Sequence, residues 1–282
     1  MDRVAEYLNI GAYRFVSLPE PELENLRQNL KTRCDEGSFR GTILLSVEGI
    51  NLNLVGRPDA IREFQDWLAG DSRFEDLSWK ESFSHHLPYN RMLVKIKAEI
   101  IAFGQDDIDP SRRTAPYVRP RELKRWLDEQ RDVILLDTRN LYEIHLGTFR
   151  GARHLDIQTF RALPERVRDL SEEAREGCVV TFCTGGIRCE KAASLLQREG
   201  FQDVYQLEGG ILKYFEECGG EHFDGECFVY DRRVALNSDL DETETVQCFN
   251  CMMPVTAEEQ ELPGYVPDVS CPHCVNGKPT KE

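Results

Sequence analysis

No run of about 18 apolar residues occurs in the 282-residue chain, so no segment reads as a membrane-spanning helix. The opening residues, MDRVAEYLNIGAYRFVSLPE, interleave charged and apolar positions and lack the apolar stretch of a secretory signal. That absence points to the cytoplasm, where the 10 cysteines are expected as thiols, thiolates or metal ligands rather than disulfides. An excess of positive charge is lacking too. The formal net charge of −15 argues against a protein that coats nucleic acid non-specifically. Internal repeats, low-complexity tracts and any haem, flavin or non-haem iron signature are also missing, so no organic cofactor is expected.

What is present divides the chain into three parts. Residues 1–108 read as β-α-β-β-α-β, the ferredoxin-like (acylphosphatase-like) α+β arrangement. The strands are AYRFVSL, FRGTILLS, NLNLVG and RMLVKIKAEIIAFG, and the helices are PEPELENLRQNLKTRCDEG and PDAIREFQDWLAG. The second helix sets Ile61, Phe64, Trp67 and Leu68 on one face. VEGIN is read as a tight turn, and His85 and His86 as part of a polar loop with no metal role. The stretch 104–116 is polar, carries two prolines and reads as a linker. Residues 109–222 then alternate helices with apolar strands, DVILLD and CVVTFC among them, which implies a parallel sheet covered on both faces. LPERVRDLSEEAREG reads as one of its helices. Residues 223–282 form a small, acidic, cysteine-rich region.

The stretch VVTFCTGGIRCEKAA (179–193) carries the chemistry. Ligands of parallel α/β sheets gather beyond the carboxyl ends of the strands, and Cys183 stands where CVVTF ends. Gly185 and Gly186 let the backbone curl with several N–H groups inward before a helix begins near Arg188. Those amides, the helix N-terminus and Arg188 all favour an anion at the Cys183 sulfur, so its thiol should ionise readily. The pattern describes a nucleophile, set against a buried structural cysteine as the plainer reading. Cys189 is read either as a thiol that resolves an oxidised Cys183 or as packing. Asp137, at another strand's carboxyl end, faces the same crevice, or serves as a helix cap or the partner of an arginine.

The loop, LLDTRNLYEIHLGTFRGA before it and QLEGGILKYF after it resemble a rhodanese domain. With SVEGINLNLVG, GECFVYDRRVA and the cysteine-rich end in the same order, nearly the whole chain is similar to the bacterial rhodanese-type tRNA uridine hydroxylases. One departure is His154, where a small polar turn residue is expected. The resemblance implies that Cys183 is catalytic with Arg188, Asp137 and Arg139, with Glu143 following in the motif. Thr184, Gly185, Gly186 and Ile187 form the anion-binding loop. It further implies oxygen-dependent hydroxylation of the wobble uridine to 5-hydroxyuridine, with molecular oxygen as co-substrate. The partners are the tRNA anticodon region and a reductant or sulfur-donor protein. Arg112, Arg113, Arg119, Arg121, Lys124 and Arg125 are the candidate phosphate contacts, or else an ordinary solvated surface.

The loop fits sulfur transfer through a Cys183 persulfide equally well, and an anion-binding module without chemistry is a third reading. A phosphatase loop places one more residue between its cysteine and arginine than CTGGIR does. In the tail, Cys248, Cys251, Cys271 and Cys274 form two Cys-x-x-Cys pairs separated by 19 residues, the spacing of a structural zinc site. Free thiols are the alternative, and His273 is a further candidate ligand. Cys218 and Cys227 lack such spacing and read as structural.

Overall fold

A computed structural model of the chain describes residues 6–275 and 277. The chain divides into two compact units, one up to Ala115 and one from Pro116.

The first unit holds β1 (Tyr7–Phe15), α1 (Glu20–Glu36), β2 (Arg40–Ser46), β3 (Gly49–Gly56), α2 (Pro58–Ala69), β4 (Lys80–Ser84) and β5 (Met92–Ile96). The sheet order is β4-β1-β3-β2-β5. The strand that closes the ferredoxin-like pattern is therefore β4, antiparallel to β1 from Tyr7↔Ser84 to Gly11↔Lys80. Met92–Ile96 is a fifth strand, parallel to β2 on the far edge, rather than the closing one. KESFS is polar because it lies half-buried at a sheet edge, which hides it from hydrophobic patterning. One core joins Leu23, Leu26 and Leu30 of α1 to Ile61, Phe64 and Leu68 of α2 and to Leu8, Ile10, Ile43, Leu52 and Leu54 of the sheet. Trp67 is not part of it. The helical rotation carries it to the flank, 40% exposed, with its ring 5.8 Å from that of Phe64. The expected linker residues Ile108, Pro110 and Ala115 are buried.

The second unit opens with β6 (Tyr117–Val118), α3 (Pro120–Asp128), β7 (Ile134–Asp137), α4 (Leu141–Ile144), β8 (Gly147–Phe149) and β9 (Arg153–His154). It continues through a 3-10 turn into α5 (Leu163–Arg168), α6 (Glu172–Glu176), β10 (Cys178–Phe182), α7 (Ile187–Arg198), β11 (Asp203–Leu207) and α8 (Gly210–Cys218). Five strands form a parallel sheet in the order β6-β11-β10-β7-β9. Strand alternation sends Val180 and Phe182 into a core with Leu123, Trp126, Ile211 and Tyr214 of α3 and α8. α7 packs on β10 and β11, and Thr181 reaches Cys189 of α7 from the sheet's other face. The expected single helix over 163–177 is two short ones, because the Ser171 hydroxyl accepts from the Ala174 N–H and starts α6 afresh. His154 lies in the edge strand β9, its Nδ1 3.0 Å from Asp156.

The chain then adds β12 (Phe223–Gly225), β13 (Cys227–Phe228), β14 (Ala235–Leu236), β15 (Val246–Gln247), β16 (Pro254–Val255) and α9 (Ala257–Gln260). β12 pairs with β8, while β13–β14 and β15–β16 are hairpins. Among the described residues, no helix is long and apolar enough to cross a membrane.

Candidate active site

Cys183 follows the last residue of β10, and its side chain is fully buried. Gly186 has φ 97°, a conformation that turns the chain into α7 and aims its N–H at the Cys183 sulfur, 3.1 Å away. Gly210 braces the loop from the other side. Its φ is +68°, and a Cβ there would stand 2.4 Å from the Cys183 carbonyl oxygen. That oxygen accepts from the Ile211 N–H at 2.9 Å, and the Thr184 carbonyl accepts from Leu212 at 3.1 Å. EGGIL is thus the seat on which CTGG rests.

Burial alone would raise the Cys183 thiol. A hydrogen bond from Cys189, the Arg188 charge and the backbone N–H groups of Arg188 and Gly186 outweigh it and lower the thiol to about 5. Its hydrogen-bonded neighbour Cys189 is pushed the other way, by burial first and then by the Cys183 charge. The arrangement is therefore one thiolate supported by one thiol, and all ten cysteines are free.

Arg188 does not close over the sulfur. Its guanidinium forms a buried two-pronged pair with Glu143, at 2.5 and 2.7 Å, and reaches Thr184 Oγ1 at 3.4 Å. Glu143 also accepts from the Asn140 N–H (3.0 Å), the Tyr230 hydroxyl (2.8 Å) and the Thr184 hydroxyl (3.3 Å). Burial would raise its carboxyl, but the charge and hydrogen bonds of Arg188, the Arg139 charge and the Asn140 N–H hold it below the usual range. Glu143, which sequence reasoning named in the motif without a role, is the hub of this group. Its position three residues after Asn140, where a carboxylate closes a helix start, was the available signal.

Asp137 and Arg139 form a second buried pair, at 2.7 and 2.9 Å. Thr148 donates to Asp137, and Arg139 donates to the Gly147 carbonyl. Their polar contacts run to each other and to β8, which is the arginine-partner alternative for Asp137 rather than the one in which it faces Cys183. Of the loop residues, Thr184 and Gly186 are buried, while Gly185 and Ile187 are half-buried. Tyr230, from the unassigned stretch GECFVYDRRVA, is 57% exposed although its hydroxyl is tied to Glu143 and to Tyr142, the latter at 2.8 Å. Its ring lies 5.9 Å from the Arg188 guanidinium carbon, at the margin of the loop.

The basic run is split. Arg112 and Arg113 belong to the first unit, Arg119 precedes α3, and Arg121, Lys124 and Arg125 lie on α3 of the second. Lys124 bridges Asp128 (2.8 Å) and Glu221 (2.5 Å). Cys218 is half-buried, and Cys227 is buried with its thiol pushed up to about 12, chiefly by burial.

In the tail, the sulfurs of Cys248, Cys251, Cys271 and Cys274 lie within 4.8 Å of one another, a group that could hold a metal ion. Sulfurs bound to one tetrahedral ion at the usual zinc–sulfur length stand about 3.8 Å apart. The observed separations include 3.9, 3.5 and 3.8 Å. His273 turns away from this group toward Glu259 and His145.

Residues 7–100 match the UPF0176 acylphosphatase-like domain, and residues 119–217 match the rhodanese-like domain. A protein of Cupriavidus necator named tRNA uridine(34) hydroxylase is 51% identical, over 97% of this chain and 98% of its own. A protein of the same name from Ralstonia nicotianae is 47% identical, over 96% of this chain and 97% of its own. Among solved structures, a rhodanese-like domain protein from Staphylococcus aureus matches 39% of this chain and 96% of its own, at 24% identity and a TM-score of 0.32. Near-half identity that runs from end to end extends well beyond the cysteine loop, and the chain belongs to the tRNA uridine(34) hydroxylase family.

Proposed function

We propose that this chain hydroxylates carbon 5 of uridine 34 in tRNA, with Cys183 as the nucleophile. The observation that carries this reading is the 51% identity over 97% of the chain to a relative named for the reaction. The chemistry suits a thiolate. Addition of the Cys183 sulfur to carbon 6 of uracil leaves an electron pair on carbon 5, delocalised onto the neighbouring carbonyl oxygen. That carbon attacks an electrophilic oxygen, and loss of the carbon-5 proton expels the sulfur and restores the double bond. Overall, uridine, O2, two electrons and two protons give 5-hydroxyuridine and water, so a two-electron reductant is a required partner. The loop amides and the N-terminus of α7 stabilise the anionic stages. Because Cys183 is fully buried, the base reaches it only when the cover of the loop opens.

An anticodon base is unpaired and can be splayed toward the site without breaking a duplex. Arg112, Arg121 and Arg125 have side chains 86%, 79% and 63% exposed, and their surface ion pairs are weak enough to exchange for phosphate. Arg113 and Arg119 extend this set, while Lys124, held by two carboxylates, contributes less. The four tail cysteines hold a structural zinc ion, whose role is to replace the core that a small acidic region lacks.

Sulfur transfer is the second reading, because the cradle that lowers the Cys183 thiol would hold a persulfide equally well. Both readings need the thiolate, so its titration is the first test. The thiolate ultraviolet absorbance lost in Cys183→Ser should persist as pH falls below the ordinary thiol range and disappear only near about 5. A difference that titrates at about 8.5, the value of a free cysteine, contradicts the nucleophile assignment. Nucleoside mass spectrometry of tRNA incubated with the chain, O2 and a two-electron reductant, together with protein mass spectrometry of Cys183 after incubation with thiosulfate, then separates the readings. 5-Hydroxyuridine supports hydroxylation, and a persulfide on Cys183 without it supports sulfur transfer.

A further inference from the structure

His145 follows α4 directly, Glu259 lies on α9, and His273 sits inside the second cysteine pair. Although His145 and Glu259 are 114 residues apart in sequence, the Nε2 atoms of His145 and His273 each lie 2.9 Å from Glu259 Oε1. The three donor atoms fall within 4.8 Å of one another, and the two imidazole rings meet edge-on with centroids 4.8 Å apart.

The plain account is a carboxylate that accepts from two imidazoles. His145 meets hydrogen-bond geometry with the same oxygen, a contact that its Nε2 gives up with its proton on binding a metal. The plain account fails for His273. Its Nε2 is buried and has no hydrogen-bond partner, although the carboxylate oxygen is only 2.9 Å away. The nitrogen is near the oxygen but is not directed at it as a donor. A buried imidazole nitrogen without a hydrogen bond, beside a carboxylate and within 4.8 Å of a second imidazole nitrogen, has the neighbours of a metal ligand. The spacing agrees. With metal–nitrogen and metal–oxygen bonds of about 2.1 Å, donors at right angles stand about 3.0 Å apart and tetrahedral ones about 3.4 Å. The two 2.9 Å nitrogen–oxygen separations fit the right-angled case, and two histidines with one carboxylate leave coordination positions open on a metal.

We propose that His145, Glu259 and His273 bind one divalent first-row transition-metal ion, ferrous iron or zinc, separate from the ion of the four-cysteine site. Such an ion would join the tail, through Glu259 and His273, to the end of the helix whose Glu143 holds Arg188. The proposal does not depend on the hydroxylase reading.

The test uses the full-length chain, stripped with a chelator and reloaded separately with cobalt(II), zinc(II) or, in the absence of oxygen, ferrous iron. Bound metal is counted after desalting. His145→Ala and Glu259→Gln should each lose one equivalent relative to wild type, while the sulfur-to-cobalt charge-transfer band of the four cysteines stays unchanged. That band also reports that the tail still folds in the variants. Comparison of the zinc and iron arms shows which ion the site retains. A metal content that neither substitution changes overturns the proposal, as does a lost equivalent that takes the sulfur band with it.

Discussion

Replacement of Glu143 by alanine should open the cysteine loop. Glu143 is fully buried and neutralises the nearly buried Arg188 through two hydrogen bonds. Removal of one member of such a pair leaves the other charge without compensation in the interior and typically costs about 3–5 kcal/mol. The carboxylate also accepts from Tyr230, Thr184 and Asn140, so the variant frees the start of α4, the margin of the loop and its first hydroxyl at once. Amide hydrogen exchange over residues 183–190 should accelerate by roughly a hundred-fold or more. The pairing explanation makes a second demand. Glu143→Ala combined with Arg188→Met removes both charges and should recover a large part of the lost protection. Exchange that is unchanged in the single variant, or no recovery in the double, would show that the pair does not hold the loop.

Metal removal should have an effect of similar size in the tail. The buried centre of this region consists of Cys248, Val255, Cys271 and Cys274, with Val246, Cys251 and Tyr265 packed against it. Sulfur atoms therefore take the place that aliphatic side chains fill in a larger domain. Four thiols close together contribute little by themselves, whereas structural zinc binding in small modules is worth about 10–16 kcal/mol at neutral pH. Treatment with a strong chelator should make the segment from Val246 to Val275 sensitive to protease, as should Cys248→Ser. The parallel sheet should remain resistant, since its apolar core includes Val180, Phe182, Ile211 and Tyr214. A chelated protein whose tail resists cleavage as before would remove the metal from the account of this region.

How much could be read beforehand depended on how local the signal was. The cysteine loop was legible because strand, glycines and helix start are consecutive, and Gly186 takes the positive φ that its place in the turn suggests. The parallel sheet was legible because β7 and β10 are apolar on both faces. β4 was not, since Lys80–Ser84 carries few apolar residues and acquires its strand partner from β1, far away in sequence. Tertiary pairing decided only part of the reading of Arg188. Its charge and backbone N–H do favour the Cys183 thiolate, while a carboxylate 45 residues earlier takes the main hydrogen bonds of its guanidinium. The same limit hid the cluster of His145, Glu259 and His273, because residues so widely spaced leave no motif. The four tail cysteines were the opposite case, with a spacing that already specified their convergence.

The most direct test of the central claim is nucleoside mass spectrometry of tRNA from a host that lacks the gene, complemented with the wild-type chain or with Cys183→Ala. The account predicts that 5-hydroxyuridine returns with the wild type and stays absent with the variant at equal protein level. Its return with both would contradict the account, because Cys183 would then not be the nucleophile.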